Sequence, residues 1–237
     1  MNEYRLLAEF RNLFDGQQYR RRDASLGNYV AMHLFEDLLA AGRSPKLVAA
    51  IQAKQLVLNV QNTRRGIEAR RGDGTLGELV HGAEPVADPG YAVARGPIAT
   101  VSIGVEVKIL AKAMIKQIDC VINDLRNQVE HFRKGGSHPI SVAIVGINHA
   151  DHCTSYEGDR AFPTTGRGGY PHPSQEAPAA EKRLLAEAKP SYDEFLILRF
   201  NATNEPPFPF AWLDLQNTTL DYAAILTRIS SKYHQRF

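Results

Sequence analysis

Residues 98–109 read IATVSIGVEVKI, a run of β-branched side chains whose alternate positions divide cleanly. In an extended strand Ile103, Val105 and Val107 point to one face, and Ser102, Gly104, Glu106 and Lys108 to the other. Apolar neighbours on both sides mark this as an interior strand. A carboxylate and an ammonium there are costly unless they pair or bind a metal. Directly afterwards, residues 110–133 set Ile115, Ile118, Ile122, Leu125, Val129 and Phe132 at helical spacing, and Gly135-Gly136 ends that helix. Pro139 then leads into residues 140–147, a continuous apolar run of the kind that forms a buried strand. Strand, helix and strand in this order predict an α/β domain with a central mixed β-sheet flanked by helices.

The rest of the chain fits around that unit. Residues 2–14, 26–41 and 46–59 predict three helices, the second with Leu26, Tyr29, Val30, His33, Leu34 and Leu38 on one stripe and Asp23 or Ser25 as its cap. From Asn62 to residue 108, Arg-Gly, Gly-Asp-Gly and Pro-Gly punctuation around short apolar runs predicts strands and hairpins. Residues 150–180 lose periodicity and predict a long loop or insertion. A short helix at 179–188, a strand at 194–200 and a helix at 219–235 close the chain. The expected organisation is one domain over residues 1–237: a helical part at 1–60, a core at about 26–148 and a loop-rich extension at 150–237.

Composition narrows the class. With 43% hydrophobic residues the chain buries a real core, and no stretch reaches the roughly 18 consecutive apolar residues of a membrane span. The N-terminal residues lack a signal-peptide pattern. Cys120 and Cys153 are the only cysteines, which is no disulfide framework and favours a reducing, cytoplasmic setting. A net charge of +2 does not by itself point to nucleic acid. The local runs Arg20-Arg21-Arg22 and Arg64, Arg65, Arg70 and Arg71 are read either as solvated faces or as phosphate contacts.

Glu106 and Lys108, two apart on a strand, emerge side by side. Phosphodiester hydrolysis needs a hard divalent cation held by carboxylates and a positive group beside it, and this pair supplies one of each. With RRGDG at 70–74, GVEVKI at 104–109 and the helix that follows at once, the chain resembles the PD-(D/E)xK nuclease superfamily (restriction-endonuclease-like) over roughly residues 26–148. The resemblance implies a core of helix, three antiparallel strands, helix and strand. It also implies Mg²⁺-dependent DNA cleavage (Mn²⁺ substituting), with Glu106 as second acid and Lys108 as the lysine. The first acid is expected at Asp73, with Asp88 of Asp88-Pro89 as its rival and Glu78 and Glu84 as outsiders. Asp73 and Glu106 are thus the expected metal ligands. A homodimer and a restriction or defence role in the cytoplasm follow by analogy.

Other residues are weighed beside these. Glu36 either completes the metal site, as in some members of that superfamily, or is a surface residue next to Asp37. Lys112 and Lys116, with Asp119 and Asn123, form a polar helix flank; Lys112 stands one turn from Lys108, within reach of a phosphate. Gln117 is expected to point elsewhere. His149, His152 and Cys153 supply three candidate zinc ligands without a fourth. His149, Asp151, Tyr156 and Arg160 leave the end of a strand and are candidates to face substrate. Gly166, Gly168 and Gly169 form no dinucleotide fingerprint. Two rivals stand in other classes: a non-catalytic binding module, and a metal-independent glycosidase using paired carboxylates. Lys108 and an aromatic content of only 8% argue against the second.

Overall fold

The computed structural model describes residues 3–19, 25–59, 73–134 and 138–237. The predicted cap at Asp23 and the two arginine runs therefore lie outside the described residues. The elements run α1 (Arg5–Asn12), α2 (Ser25–Ala41), α3 (Pro45–Gln52), β1 (Leu56–Asn59), β2 (Gly74–Glu78), β3 (Arg95–Gly96), β4 (Ile103–Leu110), α4 (Met114–Arg133), β5 (Ile140–Asn148), β6 (Thr154–Glu157), β7 (Arg160–Pro163), α5 (Pro173–Glu187), β8 (Glu194–Ala202), β9 (Phe210–Trp212) and α6 (Leu215–Arg236). Seven strands form one mixed sheet in the order β3-β1-β2-β4-β5-β8-β9, and β6 and β7 form a separate hairpin.

β4 lies in the interior of the sheet, antiparallel to β2 and parallel to β5 along its whole length, from Ile103 opposite Ile140 to Leu110 opposite Ile147. β5 is in turn parallel to β8. The two parallel steps go in the same direction across the sheet, so right-handed crossovers put α4 and α5 on one face. There Ile118, Ile122, Leu125 and Val129 of α4 and Ala177, Ala180 and Leu184 of α5 pack on Ala143, Val145 and Ile147. The other face buries Ile103, Val105 and Val107 against α1, α2 and α6. Gly104 lets α4 approach, since a methyl there would lie 2.6 Å from the Phe132 ring.

Several expected elements are redrawn. The predicted helix at 46–59 stops at Gln52, where Ala53 and left-handed Lys54 turn the chain so that Leu56–Asn59 pairs with β2. The helix expected from residue 110 begins at Met114, because Leu110 is still paired in β4 and left-handed Ala113 makes the turn from strand to helix. Ile115, in the first turn, is 41% exposed and not part of the buried stripe. Within the expected loop at 150–180 lie the hairpin and the start of α5. The hairpin's mostly exposed residues give no alternation, and Pro173, at the helix start, reads as loop in sequence but suits a first turn. β9 carried no signal in sequence.

Ala113 offers α4 no side-chain cap. Glu176 of α5 takes its place: buried, it accepts from Met114 N at 2.9 Å and Ile115 N at 3.2 Å. Its negative charge also meets the positive end of the helix dipole. Asn148 ties the same region together, donating to Ala111 O and Ala202 O and accepting from Ala150 N and Ala202 N. Glu176→Ala is expected to cost about 1–3 kcal/mol, and thermal unfolding would show it as a loss of several degrees. An unchanged melting temperature would mean that the cap carries no weight.

Candidate functional site

The site forms at the carboxyl end of β4. Gly74 pairs with Val105, so the next step of the antiparallel register sets Asp73, just ahead of β2, opposite Glu106. Asp73 Oδ2 accepts from Val107 N at 2.8 Å, which fixes that carboxylate on the strand edge. Lys108 Nζ lies 3.0 Å from Glu106 Oε1 and 3.5 Å from Asp124 Oδ2 of α4. Asp73, Glu106 and Lys108 line a cavity of about 340 Å³ with Tyr19, Leu26, Gly27, Gln117 and Val121, in the cleft between the starts of α2 and α4.

Glu106 is only 7% exposed, and its Oε2 is buried without a hydrogen-bond partner among the described residues. Burial first, and then the charge of Asp73, push its carboxyl from the ordinary 4.5 up to about 7, against the pull of Lys108. Burial acting alone would lower Lys108, but the charge and hydrogen bond of Glu106 outweigh it, so its ammonium is held. Tyr192, buried and facing the same carboxylates, is pushed well up and stays a phenol donating to Leu125 O. The site is thus a low-dielectric pocket with two acids, one cation and one orphaned oxygen. Such a carboxylate is stable in its charged form only with a further cation beside it.

No family model, curated protein or solved structure matches this chain. Its chemistry has to follow from the geometry itself. Among the described residues no group of three or more His, Cys, Asp or Glu side chains gathers as a metal cluster. Mg²⁺ needs fewer, since it keeps several waters and is bound through one or two carboxylates. Asp73 and Glu106 fit that donor set, and the unpartnered Oε2 is the atom such an ion would satisfy.

The remaining sequence candidates divide. Asp88 pairs with Arg95 and does not line the cavity. Glu36 is buried rather than on the surface, but it is used structurally. Its Oε1 accepts from Val93 N and Ala92 N, and its Oε2 from Arg5. Glu78 accepts from Thr100. Asp119 pairs with Arg183. Gln117, expected to point elsewhere, lines the cavity, and its amide donates to Lys112 O at 3.0 Å. His149, Asp151, Tyr156 and Arg160 do not line it. His152 faces Glu205, while Cys153 is buried with its amide on Thr164.

Two contributors carried no sequence signal of their own. Asp124 sits on the helix face above Lys108. Gly27 lies within α2, and a methyl there would fall 2.3 Å from Asp73 Oδ1, so a side chain at this point would displace the carboxylate. Only the spacing of a glycine inside a helical run hints at such a close approach.

Because the carboxyl of Glu106 is raised, its burial costs little at pH 4 and below, where folded and unfolded forms are both largely neutral. The penalty grows as pH passes from 4.5 to about 7 and is complete above. In EDTA, Glu106→Gln is therefore expected to be more stable than wild type at pH 8, by on the order of 1–3 kcal/mol, with the gap closing towards pH 4. Chemical denaturation across that range reads it. A variant less stable than wild type at pH 8 would mean that the Lys108 pair outweighs burial.

Proposed function

We propose that this protein is a Mg²⁺-dependent nuclease that hydrolyses phosphodiester bonds in DNA. The observation that carries the reading is the buried Glu106 carboxylate, opposite Asp73 and beside Lys108, with one oxygen that has no partner among the described residues. The order α2, β1, β2, β4, α4, β5, with β1, β2 and β4 antiparallel and β5 parallel to β4, supports a restriction-endonuclease-like core.

Asp73 and Glu106 would hold the cation. When bound, it supplies an acidified water and polarises the scissile phosphate. Lys108 keeps its proton and donates to the charge that develops on the phosphoryl oxygens, in a pocket whose burial makes that interaction stronger than in water. Val107 N holds Asp73 in place, and Asp124 limits the swing of Lys108. Cutting both strands of a duplex calls for two sites, which a two-fold homodimer would supply. Restriction or defence is the setting that the family resemblance implies.

Cleavage of plasmid and single-stranded DNA is expected with Mg²⁺ or Mn²⁺ and to vanish in EDTA. Asp73→Ala and Lys108→Ala are each expected to lose about 10²–10³-fold or more in rate, whereas Asp88→Ala keeps cutting. Since a proton competes for Glu106 below about pH 7, the Mg²⁺ concentration giving half-maximal rate is expected to rise as pH falls from 8 to 6. Salt-sensitive DNA binding with no cutting under any metal would replace the nuclease with a binding module. Cutting that survives EDTA would remove the metal from the account.

A further inference from the structure

A second cavity, of about 210 Å³, opens on the other flank of the same first turns of α4. Lys112 of the β4–α4 turn and Lys116 of α4 form one wall; Phe162 of β7, with Tyr170 and Pro171 of the following loop, forms the other. The two aromatic rings are large and open to solvent, Tyr170 60% and Phe162 41% exposed. The backbone beside them is nevertheless tied to the two lysines. Lys112 Nζ donates to Phe162 O, and Lys116 Nζ donates to Gly169 O at 2.6 Å while standing 5.3 Å from the centre of the Tyr170 ring. Glu157 shares the lining, so the cavity is not uniformly positive.

Its size, below the roughly 300–1,000 Å³ of a pocket for a drug-sized ligand, suits a single planar ring system. Exposed aromatic faces with ammonium groups at the rim are the features that stack a base and meet its phosphate. Gln117 lines the Asp73–Glu106 cavity and Lys116, its neighbour in sequence, lines this one. The two openings therefore lie on adjoining flanks of the start of α4, successive helix positions being about 100° apart. We propose that this cavity receives one unstacked base of the nucleic acid strand whose backbone crosses the Asp73–Glu106–Lys108 site, with Tyr170 and Phe162 as its stacking surfaces and Lys116 on the adjoining phosphate. Enzymes that need such a base outside the duplex pay an unstacking cost that is least at a mismatched or single-stranded position. Substrates with an unpaired base near the cut are then preferred. This inference rests on the nuclease reading above.

The test is a titration of the whole protein, with Ca²⁺ replacing Mg²⁺, against a duplex carrying 2-aminopurine opposite an abasic site. Stacking on tyrosine is expected to quench the probe. Tyr170→Ala should weaken binding about tenfold and abolish the quench, and Lys116→Gln should weaken binding and flatten its salt dependence. Tyr170 is largely exposed, so its loss leaves the fold intact, which circular dichroism checks. Equal affinity and equal fluorescence for wild type and Tyr170→Ala would overturn the base pocket, as expected if the cavity takes a peptide or a small apolar ligand instead. The two readings fail separately. Metal-dependent cutting with binding indifferent to Tyr170 sinks only the pocket. Tyr170-dependent quenching without cutting under any metal sinks only the nuclease. A wild type that binds no nucleic acid sinks both.

Discussion

Glu106 sits on an interior strand, flanked by β2 and β5, where a carboxylate has lost most of its hydration and one oxygen has nothing to accept from among the described residues. Lys108 offsets part of that cost, but Asp73, a second acid held opposite, adds to it. A protein that only had to fold would do better with an apolar residue here, since replacing buried charge by well-packed hydrocarbon is commonly neutral or stabilising. The neighbourhood does the opposite and fixes the unfavourable pair. Val107 N holds Asp73, Gly27 leaves room for its carboxylate, and β4 cannot shift without breaking its ladder to β5. A costly pair of buried acids that the surrounding backbone holds in place is the kind of arrangement that functional sites keep.

Everything that lines the cleft depends on how β4 hands over to α4. The left-handed turn at Ala113 delays the helix, Glu176 caps it from α5, and Asn148 binds the turn to the ends of β5 and β8. The consequence is that Gln117 and Val121 face Asp73 and Glu106, while Lys112 and Lys116 face the hairpin side. One helix start thereby borders two cavities of different chemistry, one lined by Asp73, Glu106 and Lys108, the other by Lys112, Lys116, Phe162 and Tyr170. Among the described residues no helix is long and apolar enough to cross a membrane.

How much of this was readable beforehand follows from the range of the interactions involved. Glu106 and Lys108 share a face by the two-residue period of a strand, a local property, and the β4–α4–β5 unit was legible for the same reason. Asp73 stood out only as one acid among several, because the register between β2 and β4 is set across a long gap. That gap is filled by irregular chain and the short β3, which pairs in parallel with β1. Glu36 looked like a candidate because sequence does not tell that the backbone of Ala92 and Val93 will reach it. Gly27, Asp124 and Gln117 acquire a role only through packing. The hairpin at Thr154–Pro163 was hidden because its residues, mostly open to solvent, show no alternation.

The most direct check on the central claim is anomalous diffraction from crystals of the protein equilibrated with Mn²⁺ near pH 8. The account predicts one strong peak between the carboxylates of Asp73 and Glu106, with oxygen distances of roughly 2.0–2.2 Å, absent from crystals of Glu106→Gln. A peak elsewhere, or none in a wild type whose carboxylates keep the arrangement described, would contradict it and leave the buried Glu106 as a structural oddity rather than a metal ligand.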